Sequence, residues 1–189
     1  EGCFEFQNIA SIGNQTFYSC DKLTSVSFNG TNLNIGASAF YDCNALTSVS
    51  FECYELNIGR YAFEYCKSLT CVSFECTNLD IGSSAFNDCD SLTSISINCN
   101  ASIGSQAFYD CDNLESAIIS VGVDSIYSKA FANCPKLEKV TIYNKNCEIA
   151  ETAISIYSTI YGYSGSTAET FANTYGYNFV SYLRNWCLA

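Results

Sequence analysis

One fourteen-residue phrase returns along the chain: QTFYSCDKLTSVSF at 15–28, SAFYDCNALTSVSF at 38–51, YAFEYCKSLTCVSF at 61–74, SAFNDCDSLTSISI at 84–97, QAFYDCDNLESAII at 106–119 and KAFANCPKLEKVTI at 129–142. The copies are offset by 23 residues, except for one step of 22. Each follows an Ile-Gly pair, at 12, 35, 58, 81 and 103, with Ile126-Tyr127 as a weaker version and Ile149-Ala150 after the last copy. A period of about 20–29 residues is that of a solenoid, in which each unit buries its apolar face only by stacking on the next.

Within a unit, Leu46, Val49 and Phe51 mark a strand whose alternate residues share one face, and stacked copies make a parallel sheet. The pairs Leu33/Ile35, Leu56/Ile58 and Leu79/Ile81 predict a second, minor strand. The stretch ending at each repeated Cys lacks alternation and suits a short helical or 3₁₀ turn on the opposite wall, and Gly after Ile permits a tight corner. The expected fold is a β-rich, right-handed repeat solenoid with one main parallel sheet. Its interior columns are Phe40, Phe63, Phe86, Phe108 and Phe131, then Leu46, Val49 and Phe51 with their equivalents. Full burial of each such side chain is worth about 1.5–3 kcal/mol, so no metal or disulfide is needed to account for folding.

The phrase Ile-Gly-x-x-Ala-Phe-x-x-Cys-x-x-Leu-x-x-Val-x-Phe resembles the unit of the BspA-like leucine-rich repeats of bacterial and protozoal surface proteins. The resemblance spans about residues 4–182, and TIYGYSGSTAETFANTYGYNFVSY at 159–182 is similar to that family's closing segment. It implies an array over 1–158 with an incomplete first unit and a closing segment over 159–189. Ser166-x-x-Glu169 reads as a capping box and Gly176 as a helix stop. At the other end, Phe4 and Phe6 read as the strand of a unit whose first part is missing, a fragment of a longer array with an uncapped rung open to self-association. The family implies a cell-surface or secreted, non-enzymatic binding module for adhesion to host matrix or cell-surface proteins, or to glycans.

Thirteen cysteines raise the question of chemistry. Cys20, Cys43, Cys66, Cys89, Cys111 and Cys134 form one column directly before each strand, read as small buried plugs with inert thiols. Rung-to-rung disulfides suit it poorly, because in-register side chains point in parallel. Cys53, Cys76 and Cys99 form a second inward ladder at the strand end. Cys66, Cys71 and Cys76 are evenly spaced, but Cys71 and Cys76 are five apart on a strand and face opposite ways, so no zinc site follows. Cys71 stands where other units carry an outward Ser and should face solvent.

Histidine is absent, which removes the commonest general base, and no cofactor or catalytic residue is expected. Net charge is −11 with no basic run, against nucleic acid as a partner, and no apolar run reaches about 18 residues, against membrane insertion. Asp88-Cys89-Asp90 and Asp110-Cys111-Asp112 could attract calcium but lack a dense ligand loop. Asn14-Gln-Thr, Asn29-Gly-Thr and Asn100-Ala-Ser match the glycosylation sequon.

Strand parity also defines a candidate ligand face: Ser48, Ser50, Glu52, Cys71, Ser73, Glu75, Ser94 and Ser96, a flat, hydroxyl-rich surface. The tyrosines Tyr18, Tyr41, Tyr54, Tyr61, Tyr65 and Tyr109 are expected mostly around the opposite turns.

Overall fold

The computed structural model describes residues 2–182; Glu1 and the last part of the closing segment, 183–189, lie outside the described residues. Its strands are β1 (Cys3–Gln7), β2 (Ser11–Ile12), β3 (Ser25–Asn29), β4 (Asn32–Ile35), β5 (Ser48–Ile58), β6 (Cys71–Ile81), β7 (Ser94–Ile97), β8 (Asn100–Ile103), β9 (Ser116–Ile119), β10 (Val123–Ile126), β11 (Lys139–Ile142), β12 (Glu148–Ile149), β13 (Thr159–Tyr163) and β14 (Asn178–Tyr182), with one helix, α1 (Thr167–Tyr175). Every strand pair is parallel, as a stack of like units requires, and equivalent residues face one another: Val26, Val49 and Val72 in one row, Phe28, Phe51 and Phe74 in another. The expected major and minor strands are both present. In the second and third complete units they run together as single eleven-residue strands, β5 and β6.

The core is a set of columns. Phe17, Phe40, Phe63, Phe86, Phe108 and Phe131 stack face to face, their ring centroids 5.0–5.2 Å apart and their planes within 10° of parallel. That spacing is close to the inter-strand distance, so ring contact and backbone hydrogen bonding are satisfied by one translation. A second column, Phe6, Phe28, Phe51 and Phe74, then changes to Ile97, Ile119 and Ile142.

Where that column changes, the main wall divides. Strands β1, β3, β5 and β6 belong to a nine-stranded sheet that continues through the minor strands β8, β10 and β12, while β7, β9, β11, β13 and β14 make a separate five-stranded sheet. The single 22-residue step lies here: Asn78 pairs with Asn100, whereas Cys76 and Cys99 are 23 apart, so the corner after Cys99 is one residue shorter. One sheet was expected along the main wall. A smaller core residue and a shortened corner at the same unit account for two.

The opposite wall carries the short turn expected there, as separate turns closed by bonds from residue i+3 to i, such as Ala39 N to Gly36 O (3.2 Å) and Tyr41 N to Ser38 O (3.2 Å). They do not join into a continuous 3₁₀ helix because each holds two left-handed residues, for example Ser38 (φ 54°) and Asp42 (φ 58°). Asp and Asn tolerate this conformation better than most residues, which explains Asp42, Asp88, Asp110 and Asn133 directly before the repeated Cys. The acidic turns are thus shaped by backbone geometry. The Ile-Gly corner has a different cause from the one expected: a Cβ on Gly59 would lie 2.8 Å from Ile35 O and from Gly36 C of the preceding rung. Close approach of neighbouring backbones excludes a side chain there.

The cysteine column does more than fill space. Cys43, Cys66, Cys89, Cys111 and Cys134 are fully buried, and each thiol donates to a Phe carbonyl one rung back, Cys66 Sγ to Phe40 O at 3.1 Å and Cys134 Sγ to Phe108 O at 3.2 Å. Burial pushes the Cys66 and Cys89 thiols up from their ordinary pKa, keeping them protonated as donors. Cys20, in the first rung of the column, is only half-buried.

Toward the C-terminal end α1 packs against β12, β13 and β14. Ser166 Oγ accepts from Glu169 N at 3.2 Å while Glu169 Oε2 accepts from Gly165 N at 2.6 Å, so the capping box expected at the helix start forms one residue wide of its usual return bond. Gly176 ends the helix in the left-handed conformation (φ 79°). Ala168, Phe171 and Ala172 press onto the last rungs, and β14 pairs with β13 to end the five-stranded sheet.

Cys66→Ala should cost about 1–3 kcal/mol in urea unfolding, because Phe40 O loses its thiol donor in a buried site. Cys66→Ser, which keeps a donor, should cost less; the reverse order would mean the column is apolar filling alone. Glu64 is buried, accepts from Asn87 Nδ2 at 2.7 Å and has its carboxyl pKa raised, chiefly by burial; Asp88 beside it is raised by burial and by Asp110. A carboxyl raised in the fold penalises the native state once it ionises. Stability should therefore fall as pH rises from about 4, the ordinary Glu value, through the raised native one. Glu64→Gln should raise the thermal midpoint at pH 7 and lose that advantage below about pH 4.

Candidate binding face

Parity within each strand sends alternate residues away from the core, and in-register pairing lines them up as rows. Ser25, Ser48 and Cys71 form the first row on β3, β5 and β6, continued by Ser94, Ser116, Lys139, Thr159 and Asn178 across the second sheet. Ser27, Ser50 and Ser73 form the second, continued by Ser96, Ile118, Thr141, Tyr161 and Val180. Asn29, Glu52 and Glu75 form a third.

All eight residues singled out from the sequence lie in these outward rows. Ser50, Glu52, Cys71, Glu75, Ser94 and Ser96 are exposed, and Ser48 and Ser73 half-buried. Six of them pair directly on β5 and β6; Ser94 and Ser96 stand across the unbonded seam on β7. Cys71 is solvent-exposed and Cys76 half-buried, so the two do not converge, and among the described residues no three His, Cys, Asp or Glu side chains are grouped to hold a metal ion.

Toward the C-terminal end the same face changes character. Tyr143, Tyr161, Tyr163 and Tyr182 gather there, with Tyr143 stacked on Tyr182 at 5.6 Å and Tyr163 edge-on to Tyr182 at 6.1 Å. Lys139 Nζ lies 4.8 Å from the Tyr161 ring centre and Lys145 Nζ 5.2 Å from that of Tyr163, both within cation–π range. The Tyr182 hydroxyl lies 3.4 Å from Thr141 Oγ1, and hydrogen bonding to Tyr182 holds the Tyr143 phenol above its ordinary pKa, hence neutral. Exposed Ile118 and Val180 flank the cluster. Sequence reasoning missed this patch, because 159–182 reads as a closing segment. Its signal was available: in TIYGY, Ile160 and Gly162 point in, so Tyr161 and Tyr163 point out.

Of the tyrosines expected mostly around the opposite turns, Tyr54 lies instead within β5, while Tyr18, Tyr41, Tyr61, Tyr65 and Tyr109 belong to the turns. Tyr18 stacks on Tyr41 at 4.8 Å and Tyr65 meets Tyr41 edge-on at 5.4 Å. Tyr109 joins Lys129, Ile156, Tyr157, Tyr175 and Tyr177 around a shallow cavity of about 590 Å³ beside α1. The face thus has a small, hydroxylated, acidic half and an aromatic half carrying two lysines. Among the described residues no helix is long and apolar enough to cross a membrane.

The family model of the BspA type leucine rich repeat region matches six copies, over residues 4–101 and 34–161. A leucine-rich repeat protein from Bacteroides ovatus is similar in structure, with 30% identity and a TM-score of 0.67 over 75% of this chain. The match takes in 37% of the B. ovatus protein, so the chain spans little more than a third of that relative's length. The T. pallidum leucine-rich repeat protein shares the fold at 24% identity and a TM-score of 0.63, over 91% of this chain and 79% of its own. No curated protein matches the chain. With six copies of the unit and the stacked parallel rungs it dictates, the chain belongs to the BspA-type leucine-rich repeat family.

Proposed function

We propose that the chain is a non-enzymatic, cell-surface or secreted binding module that mediates adhesion by docking a protein partner on its main-sheet face. The observation that carries this reading is the outward face of the stacked strands, which runs on both sides of the seam. Ser48, Ser50, Glu52, Cys71, Ser73, Glu75, Ser94 and Ser96 supply small polar contact area, and Tyr143, Tyr161 and Tyr163 supply the aromatic anchors that mark interface hot spots. Small residues let a partner approach the sheet closely, and half-buried tyrosines lose little conformational entropy on binding. Solenoid faces suit extended partners, because each rung adds contact without changing the fold.

A second reading, self-assembly, draws on the first rung. Phe4 is 49% exposed, and a cavity of about 480 Å³ there is lined by Phe4, Phe17, Cys20 and Leu23. Concentration-dependent sedimentation, abolished by Phe4→Lys, would favour that mode.

Binding to a panel of purified extracellular-matrix proteins and glycans tests the docking face. A saturable signal should weaken about tenfold or more in Tyr161→Ala and in Ser50→Arg, with circular dichroism unchanged, as expected of hot-spot loss and of a bulky intrusion. A signal unaffected by both substitutions, or no saturable binding at all, would overturn the reading.

A further inference from the structure

Two thiols outside the carbonyl-bonded column remain to be explained. Cys76, at the main-strand end of β6, and Cys99, just after β7, have sulfurs 3.3 Å apart. Cys76 is half-buried and Cys99 buried. Cys53 belongs to the same ladder but is tied to Cys76 by the hydrogen-bonded register of β5 on β6, which holds the two side chains parallel. Between Cys76 and Cys99 that constraint is missing, since β6 and β7 belong to different sheets. The chain rejoins the β6 sheet one residue on, where Asn100 pairs with Asn78, so the departure from parallel register is confined to the short stretch that holds Cys99.

We propose that Cys76 and Cys99 are a built oxidation site, forming a rung-to-rung disulfide that ties the two sheets together at the seam. The oxidant is a small-molecule disulfide such as oxidised glutathione. The pair loses one proton to the mildly alkaline buffer and keeps the other between its sulfurs, where either atom can be the donor. With that proton on Cys99, Cys76, the more accessible, attacks one glutathione sulfur as the thiolate, forming a mixed disulfide and releasing a glutathione thiolate that takes up a proton. Cys99 then attacks Cys76 Sγ, forming the protein disulfide and releasing the second. Two protein thiols lose two electrons and two protons, and one glutathione disulfide becomes two thiols. In the other buried column Cys43 and Cys66, and Cys111 and Cys134, also lie within side-chain reach of each other. There, however, each thiol donates to a Phe carbonyl one rung back and lies in paired register, so a Cys43–Cys66 or Cys111–Cys134 link in place of Cys76–Cys99 would overturn the proposal.

The test uses the intact chain in mildly alkaline buffer with excess oxidised glutathione. After acid quenching and alkylation of remaining thiols in denaturant, the sample is digested unreduced with a protease that cuts after Glu and Asp. Cutting at Glu75, Asp80, Asp88 and Asp90 separates Cys76 from Cys99, so a linked peptide pair identifies the bridge by mass. The expected result is a Cys76–Cys99 pair as the main linked species, unchanged in Cys53→Ser and replaced in Cys99→Ser by glutathione retained on Cys76. The oxidised wild type should also unfold at higher urea concentration than the reduced protein. A Cys53–Cys76 link, glutathione retained on wild-type Cys76, or full alkylation of both thiols would overturn the proposal. The wild-type map is decisive even if a variant fails to fold.

Discussion

The stacked phenylalanine column sets the geometry of everything else. A flat ring repeated at 5.0–5.2 Å accepts one translation per unit and little rotation. That same translation lets main-chain groups of successive rungs hydrogen bond in register. Once register is fixed, so is parity, and with it the division between buried columns and outward rows. The thiols add to this: each carbonyl-bonded cysteine links its own turn to the backbone carbonyl of the column Phe one rung back. Glycine at the Ile-Gly corner removes the side chain that would hold the backbones apart.

The interest of the molecule lies where this regularity fails. Between β6 and β7 a Phe column gives way to Ile, one residue is dropped, and the wall divides. An interrupted ladder frees side chains from the parallel orientation that makes in-register cysteines poor disulfide partners. The seam also crosses the proposed docking face, so Cys71 and Ser94 stand on opposite sides of it. A tie at Cys76 and Cys99 would fix how the two halves of that face present themselves to a partner.

Much of this was legible in the sequence because repetition multiplies weak signals. One Phe-x-x-Cys-x-x-Leu phrase says little; six at offsets of 23 residues, with one of 22, give the solenoid, its columns and its outward serines. The turn wall was read less well. Local lack of alternation points to a turn, but the left-handed Tyr61 and Tyr65 do not follow from their own propensity; their amides donate to Ser83 O and Asn87 O of the next rung. The thiol-to-carbonyl bonds were also hidden, since sequence shows that Cys is small and buried but not where its hydrogen points. The Tyr143, Tyr161, Tyr163 and Tyr182 patch escaped because those residues fall outside the repeated phrase, where no column supports a reading.

Stacked rings hold the rungs in register and so create the face. Native-state hydrogen exchange on Phe86→Ala tests it most directly. If the column sets register, amide protection should fall most on the rungs flanking the deletion, around residues 58–66 and 103–111, and recover toward both ends, as expected when each rung depends on its neighbours. Loss of protection spread evenly over the chain, or confined to the substituted turn, would show that the rings do not set register.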